Sequence, residues 1–452
     1  MFLYFIRAIF PALIICAIPI SAYSQQESGA GQTELDALQK QIDALKAKVD
    51  KVDAADGSVV VTSDTLIQKD NDFNLTWEPG PVLGSSDGLF SFEVNGRMTY
   101  DFSVVNFKDG DGNDRPEEKI NGTDLKHLEF GIRGKAFGSF NYRVVTKFVN
   151  DEIDVKMAYV DYSIGNTTVV VGKTRIFNTL DKRTSPPNSA FAERATFVNA
   201  FKFDRAVGIG VSHHGKDWSV SGGYFFKDDF SGTSPGDDSN VASTRLTYSP
   251  RFENGLGLHF GTSALYSNRN GNDFDHNYSA RPFLKQGDYK PLASESFNIS
   301  SETFIGGEFV ATYKSFAVQS EYGVMKNKLS QNEILTSTSP KYNGGYVEVS
   351  FFPTGAERLI DGKDGRFDNV KIASPVGAGG LGELLLAARY DKADLSHEIF
   401  GRKQTSYILA ANWFLNDLMN IQGNYAHSVI KNSSSVKTDI VDTFNLRFMI
   451  NF

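Results

Sequence analysis

The sequence predicts an all-β chain: a transmembrane antiparallel β-barrel of about 16 strands with a short N-terminal coiled-coil helix. Three observations carry that reading. From residue 89 onward, apolar and polar side chains alternate with a period of two, in segments of about ten residues, the length at which a tilted strand crosses a bilayer. The segments are joined alternately by very short turns and by long polar connections, as in barrels whose hairpins are tight on one side of the membrane only. No apolar run after residue 24 is long enough to form a transmembrane helix.

Residues 1–24 read as a cleaved signal peptide. Arg7 supplies the positive start, Ala8 to Ile20 is apolar but too short to span, and Ala22-Tyr23-Ser24 places small residues before a cut after Ser24. Cys16 follows Ile15, which disfavours lipid attachment, and its removal leaves the mature chain without cysteine. Thiol catalysis and thiolate metal sites are thereby excluded. Residues 25–57 form a periplasmic segment in which Leu35, Leu38, Ile42, Leu45, Val49 and Val52 recur in steps of three and four. That spacing suits a coiled coil, with a homotrimer as its natural product, or a solvated amphipathic helix. Residues 58–88, with Pro79, Gly80, Pro81 and Gly84, read as a linker, and residues 89–452 as the barrel.

Composition agrees with a sheet: Phe 36, Tyr 18 and Gly 41 against Trp 3. A net charge of -8 argues against a nucleic-acid partner, since phosphate-backbone binding needs an excess of cations. Alternation is clearest in Ser91–Val104, Leu128–Ala136, Ser139–Val149, Trp218–Phe226, Phe316–Val324 and Tyr407–Trp413. Short turns are expected at Gly138-Ser139, Gly165-Asn166, Gly215-Lys216, Lys314-Ser315 and Asn416-Asp417, facing the periplasm. Long connections are expected at 108–125, 176–205, 228–240, 269–302, 328–341, 392–403 and 431–441, and the Gly-rich stretch 354–381 is expected to fold toward the lumen. The chain ends Phe444, Leu446, Phe448, Ile450, Phe452 with polar residues mostly between. A final strand closing on an aromatic, together with the signal peptide, points to the bacterial outer membrane and to contact with its lipid and lipopolysaccharide.

Several strings, in their order and spacing, resemble the phosphate-selective porin O and P family. They are Val94-Asn95-Gly96-Arg97, Leu128-Glu129-Phe130-Gly131, Val171-Gly172-Lys173 continuing to Leu180-Asp181-Lys182, and Phe191-Ala192-Glu193-Arg194. Further on come Gly345-Tyr346-Val347-Glu348, Phe352-Pro353-Thr354-Gly355-Ala356-Glu357-Arg358, Gly382-Glu383-Leu384 to Ala388-Arg389-Tyr390, and Asn412-Trp413-Phe414-Leu415-Asn416. The resemblance implies a trimer of barrels that passes inorganic anions such as phosphate or polyphosphate. It also implies that Arg97 and Lys182 stand where binding cations stand in that family, with Lys126-His127 in place of an arginine pair. A Lys-His pair offers no planar fork, so a broader anion pore is equally open.

Independently of the resemblance, the lumen face of the first strands carries Arg97, Arg133, Lys135, Arg143, Lys147, Lys156, Lys173 and Arg175. Glu308, Glu321, Glu348, Glu383 and Asp391 give later strands the opposite sign. The long connection 176–205, with Lys182 and Arg183, is the candidate constriction, because fixed positive charge at a narrow point is what anion selectivity requires. No cofactor, metal site or paired nucleophile and base is expected, hence no enzyme. Asp109, Asp111 and Asn113 open like a calcium loop but lack its glycine and closing glutamate. Two other readings stay open: a porin without phosphate preference, and a barrel that merely anchors an envelope tether.

Overall fold

The computed structural model describes residues 73–452, apart from 78–79, 115–118, 150–151, 227–237, 271–273, 285, 288 and 332. The expected signal peptide, the coiled-coil segment and residues 58–72 lie outside the described residues. Sixteen antiparallel strands make up the wall: β1 (Ser91–Lys108), β2 (Ile120–Ala136), β3 (Phe140–Val149), β4 (Glu152–Ile164), β5 (Thr167–Arg175), β6 (Arg205–His214), β7 (Trp218–Phe226), β8 (Asp238–Tyr248), β9 (Leu256–Asn270), β10 (Phe297–Tyr313), β11 (Phe316–Leu329), β12 (Lys341–Phe351), β13 (Glu383–Asp394), β14 (Arg402–Phe414), β15 (Met419–Asn432) and β16 (Thr438–Asn451). Each pairs with the next in chain order. β16 then returns to β1, with Asn451 opposite Arg97 and Ile440 opposite Lys108. Closure satisfies the wall's backbone groups internally, which a strand in hydrocarbon requires.

The two faces differ as the period of two demands. Along β16, Thr443, Asn445 and Arg447 are buried inside while Phe444 and Leu446 are exposed outside. The expected short turns occur at 137–139, 165–166, 215–217, 314–315 and 415–418. Gly138 (φ 73°) and Gly165 (φ 56°) take left-handed conformations there, which glycine adopts without a steric penalty. The long connections occur at the other end of the wall. In the connection after β1, the Asp109 side chain accepts the N–H groups of Asp111 and Asn113 at 3.0 and 2.9 Å, and Asp111 pairs with Lys437 at 2.6 Å. These acids serve the loop itself.

The stretch read as a linker contains a hairpin, Phe73–Trp77 with Pro81–Ser85, whose second strand pairs with Ser91–Glu93 at the start of β1. Its strands of five residues are too short to signal themselves by periodicity, and Pro81 opens the second strand, where a missing N–H is tolerated.

The C-terminal aromatic closes the seam. Gly96 N–H donates to the Phe452 carbonyl at 2.7 Å, and Phe452 N–H donates to the Gly96 carbonyl at 3.1 Å. The Phe452 ring occupies the space that a Cβ at position 96 would need. Gly96→Ala is therefore expected to displace the ring and lower the fraction of protein that runs as a heat-modifiable folded barrel in gel electrophoresis. Gly122→Ala, where a Cβ meets nothing within 4 Å, should leave that fraction unchanged.

Two breaks in register shape the early wall. Between β1 and β2, Thr99 faces His127 and Tyr100 faces Leu125, leaving Lys126 without an opposite residue. Between β3 and β4, Val145 faces Met157 and Thr146 faces Val155, leaving Lys156 in the same position. A bulge of one extra residue re-aims the side chains around it. Lys126 and His127, adjacent in sequence, thus both face the lumen between the exposed Leu125 and Leu128.

The connection 176–204 folds into the barrel as two short helices, α1 (Leu180–Arg183) and α2 (Thr196–Ala200), joined by a turn of 3-10 helix at Pro186–Asn188. Its Phe177, Phe197, Phe201 and Phe203 pack on Phe225, Phe304, Met325 and Tyr342, which point inward from β7, β10, β11 and β12. The space between this segment and those strands is therefore filled by a hydrophobic core. The stretch between β12 and β13 also turns inward, as expected: Phe367 packs on Leu180 and Val310, and the Asn369 side chain accepts from that of Asn188 at 2.9 Å.

Candidate functional site

The inward connection leaves open the side of the lumen bounded by β1–β6. Two chambers line this path, one of about 970 Å3 toward the short-turn end and one of about 440 Å3 toward the long-loop end. They share five lining residues: Arg97, Glu129, Lys156, Arg175 and Arg205. Where the chambers meet, four cations stand against one carboxylate.

Each cation is placed by a different local device. Arg97 sits in β1 at the closure seam, where its Nε donates to Asn451 at 2.7 Å and its Nη2 reaches Ser185 of the inward connection at 3.5 Å. Lys156 is aimed by its bulge and pairs with Glu129. Arg175 ends β5 and Arg205 begins β6, and the two stand directly opposite one another. Like charges opposed across strands destabilise a sheet. Arg175 donates to the Arg183 carbonyl at 2.8 Å. Among the described residues no carboxylate lies within ion-pairing distance of Arg143, Arg175 or Arg205, and the Nε groups of Arg143 and Arg205 are buried without a protein acceptor.

The acidic half of the lumen has a different job. Glu308 accepts the backbone N–H of Leu180 at 2.8 Å, Glu321 that of Asp181 at 2.7 Å, and Asp391 that of Thr196 at 3.0 Å. Asp181 in turn accepts the N–H of Ala195 at 3.0 Å. Arg245 and His259 flank Glu308, and Arg389 and Arg358 flank Glu348 at 2.7 and 2.9 Å. Glu383 accepts the N–H of Ala373 at 3.3 Å. All of these carboxylates are buried, so they hold the inward segments to the wall instead of lining the path. The path keeps a basic surface because its acidic counterpart is covered.

The sequence-expected residues are distributed unequally. Arg97 stands at the junction. Lys126 and His127 line the smaller chamber at the long-loop end, Lys126 paired with Glu193 and His127 4.0 Å from Glu129. Lys182 lines the same chamber, its ammonium 3.6 Å from Asp204. Burial lowers that ammonium to about 8, with Asp204 pulling the other way. Arg133 and Arg183 line the opposite chamber, Arg133 paired with Glu93 at 2.5 Å. Burial lowers the Arg183 guanidinium to about 10. Lys135 borders neither chamber and lies exposed near the short-turn end of β2. Lys156 and Arg175, which charge patterning gives only as general lumen cations, and Arg205, the last residue of the expected connection 176–205, are the ones that meet Arg97. The signal that could have singled out the last two is that they bracket the 176–204 connection. No group of metal-ligating side chains is found among the described residues.

A model of the family described as phosphate-selective porin O and P matches residues 92–452. Porin O of Pseudomonas aeruginosa is 23% identical over 389 residues, 76% of this chain and 84% of that protein. An uncharacterized protein of Caulobacter vibrioides is 27% identical over 366 residues, 78% of this chain and 71% of that protein. Among solved structures, the anion-selective porin from Comamonas acidovorans superposes with a TM-score of 0.50 at 13% identity, over 80% of this chain and 100% of that one. OprB of Pseudomonas putida superposes with a TM-score of 0.50 at 11% identity, over 79% and 94%. At such identities the likeness concerns the fold. With a closed wall that is apolar outside and charged inside, and a family match running from the first barrel strand to the last residue, the chain belongs to the phosphate-selective porin O and P family and is a porin of the bacterial outer membrane.

Proposed function

We propose that the barrel is a passive diffusion channel that prefers small anions, phosphate and related oxyanions among them. The observation that carries this reading is the junction of the two chambers, where, among the described residues, Arg97, Lys156, Arg175 and Arg205 and the one carboxylate Glu129 line both. An ion entering a narrow lumen loses part of its hydration shell, and fixed cations replace that shell for an anion and repel a cation. Arginine suits oxyanions, because its planar fork meets two oxygens at once. Lys126 is committed to Glu193, which favours a range of anions over strict phosphate selection. Solutes pass unchanged, with no catalytic step. The heptad spacing of residues 35–52 supports a homotrimer.

Planar-bilayer recording of the purified protein tests the proposal. Reversal potentials in a potassium chloride gradient should indicate chloride over potassium, and millimolar phosphate should reduce the chloride current. Cation preference would end the anion reading, whereas undiminished chloride current would remove phosphate from its substrates.

Lys182 adds a pH dependence. Its ammonium, lowered to about 8 by burial, is charged below that value and neutral above it. Anion preference should therefore fall as pH rises from 7 to 9, and Lys182→Arg should flatten the change. Lys182→Glu should lower the preference at every pH in that range. An unchanged reversal potential in Lys182→Glu would remove Lys182 from the ion path.

A further inference from the structure

We propose that the outward faces of β11–β15 form a binding site for the phosphate groups of lipopolysaccharide in the outer leaflet. Six lysines, Lys326, Lys328, Lys341, Lys392, Lys403 and Lys431, are exposed on these five consecutive strands. They share the phase of the apolar residues that face the bilayer. Lys326 and Lys328 lie four and six residues beyond Tyr322 toward the long-loop end, Lys392 two beyond Tyr390, Lys403 four from Tyr407, and Lys431 six beyond Tyr425. At a rise of about 3.3 Å per residue the lysines stand roughly 7–20 Å outward of a tyrosine row. Tyrosine rows mark the membrane interface, and the charged headgroups lie just beyond it.

The arrangement is only partly neutralised from within. Lys326 is directly opposite Lys341, and Lys403 is directly opposite Lys431. Such pairs weaken a sheet unless an anion sits between them. Asp394 is the carboxylate on the same face, and Lys403 holds it at 2.9 Å. Asp442, on the adjoining face of β16, is occupied by Tyr425 and His427 at 2.8 Å each. Strands about 4.8 Å apart spread the cations over roughly 20 Å of wall. A single inorganic ion cannot bridge that width, whereas a glycolipid headgroup bearing several phosphates can. Lysine supplies compact charges on flexible stems, fit for phosphates whose positions vary.

The full chain, purified from outer membranes and exchanged into fresh detergent, provides the test. Retained lipopolysaccharide is measured by its hydroxy fatty acids, and binding of added lipid A is followed by native mass spectrometry. The wild-type protein should retain lipopolysaccharide, and the variant Lys326→Gln, Lys341→Gln, Lys392→Gln, Lys431→Gln should retain about tenfold less. Lipid A stripped of its phosphates should bind no better to wild type than intact lipid A binds to the variant. Single-channel conductance and heat-modifiable migration of the variant should match wild type, because these side chains face away from the lumen. If the fourfold variant does not fold, the pairs Lys326→Gln with Lys341→Gln and Lys403→Gln with Lys431→Gln are read separately, each expected to lower retention about threefold. Equal retention by variant and wild type, equal binding of phosphate-free lipid A, or displacement of lipid A by millimolar inorganic phosphate would each overturn the proposal.

Discussion

Replacing Arg175 and Arg205 together by glutamate is expected to turn the channel from anion-preferring to cation-preferring. The junction of the two chambers holds Arg97, Lys156, Arg175 and Arg205 against Glu129. The double variant leaves two cations against three carboxylates there. A unit charge about 8 Å from a permeating ion contributes about 2 kcal/mol at an effective dielectric constant near 20. Screening over a Debye length of about 8 Å at 0.15 M salt reduces this to under half. Each substitution alters the local charge by two, so the pair shifts a permeating anion's energy by about 3 kcal/mol, roughly a hundredfold in its permeability, and shifts a cation's by as much in the opposite sense. The same change removes a like-charge pair from opposed positions and installs another, so fold stability is nearly conserved. The reversal potential in a salt gradient should change sign. If it keeps its sign and size, the narrow point of the path lies elsewhere.

The wall was legible in the sequence because its physics is local. A period of two, short turns on one side and an aromatic terminus follow from one strand at a time, and they locate the turns and the closing strand. The bulges are another matter. Strict alternation sends Lys126 and His127 to opposite faces, and only the register of β1 against β2 brings both inside. The inward core left a trace that periodicity discards: Phe304, Met325 and Tyr342 put large apolar groups at inward positions, where a water-filled wall would carry polar ones. Charge alternation likewise exposed an acidic half of the lumen. It could not show that Glu308, Glu321 and Asp391 accept backbone N–H groups from a segment more than one hundred residues earlier in the chain. Long-range hydrogen bonds of this kind have no signature in the spacing of either partner.

That inward segment is what divides a wide barrel into a narrow path, and Gly344→Val is expected to dislodge it. Phe197 of α2 is fully buried, and its Cβ lies against Gly344 in the space that a side chain at position 344 would fill. On the neighbouring strand a Cβ at Gly323 would come within 3.2 Å of the Phe197 ring and closer still to that of Phe304, so the phenyl group is packed against this wall as well. Overpacking of this kind costs about 1–3 kcal/mol, and the cheapest relief is outward movement of the segment, since the wall is held by its strand pairing. Moving α2 would break the Thr196 N–H to Asp391 bond of 3.0 Å and shift Arg194 and Lys182 with it. Single-channel conductance should then rise and anion preference fall, because a wider path lets ions pass farther from the fixed charges than a Debye length. Trypsin should cut near Lys182, Arg183, Arg194 or Lys202 in the variant while the strands remain protected. Gly307→Val supplies the comparison: the position faces outward with nothing within 4 Å of its Cβ, and both conductance and protease resistance should match wild type. Wild-type conductance in Gly344→Val, with α2 still protected, would mean that the wall yields before the segment does, and that the path is bounded by something other than this packing.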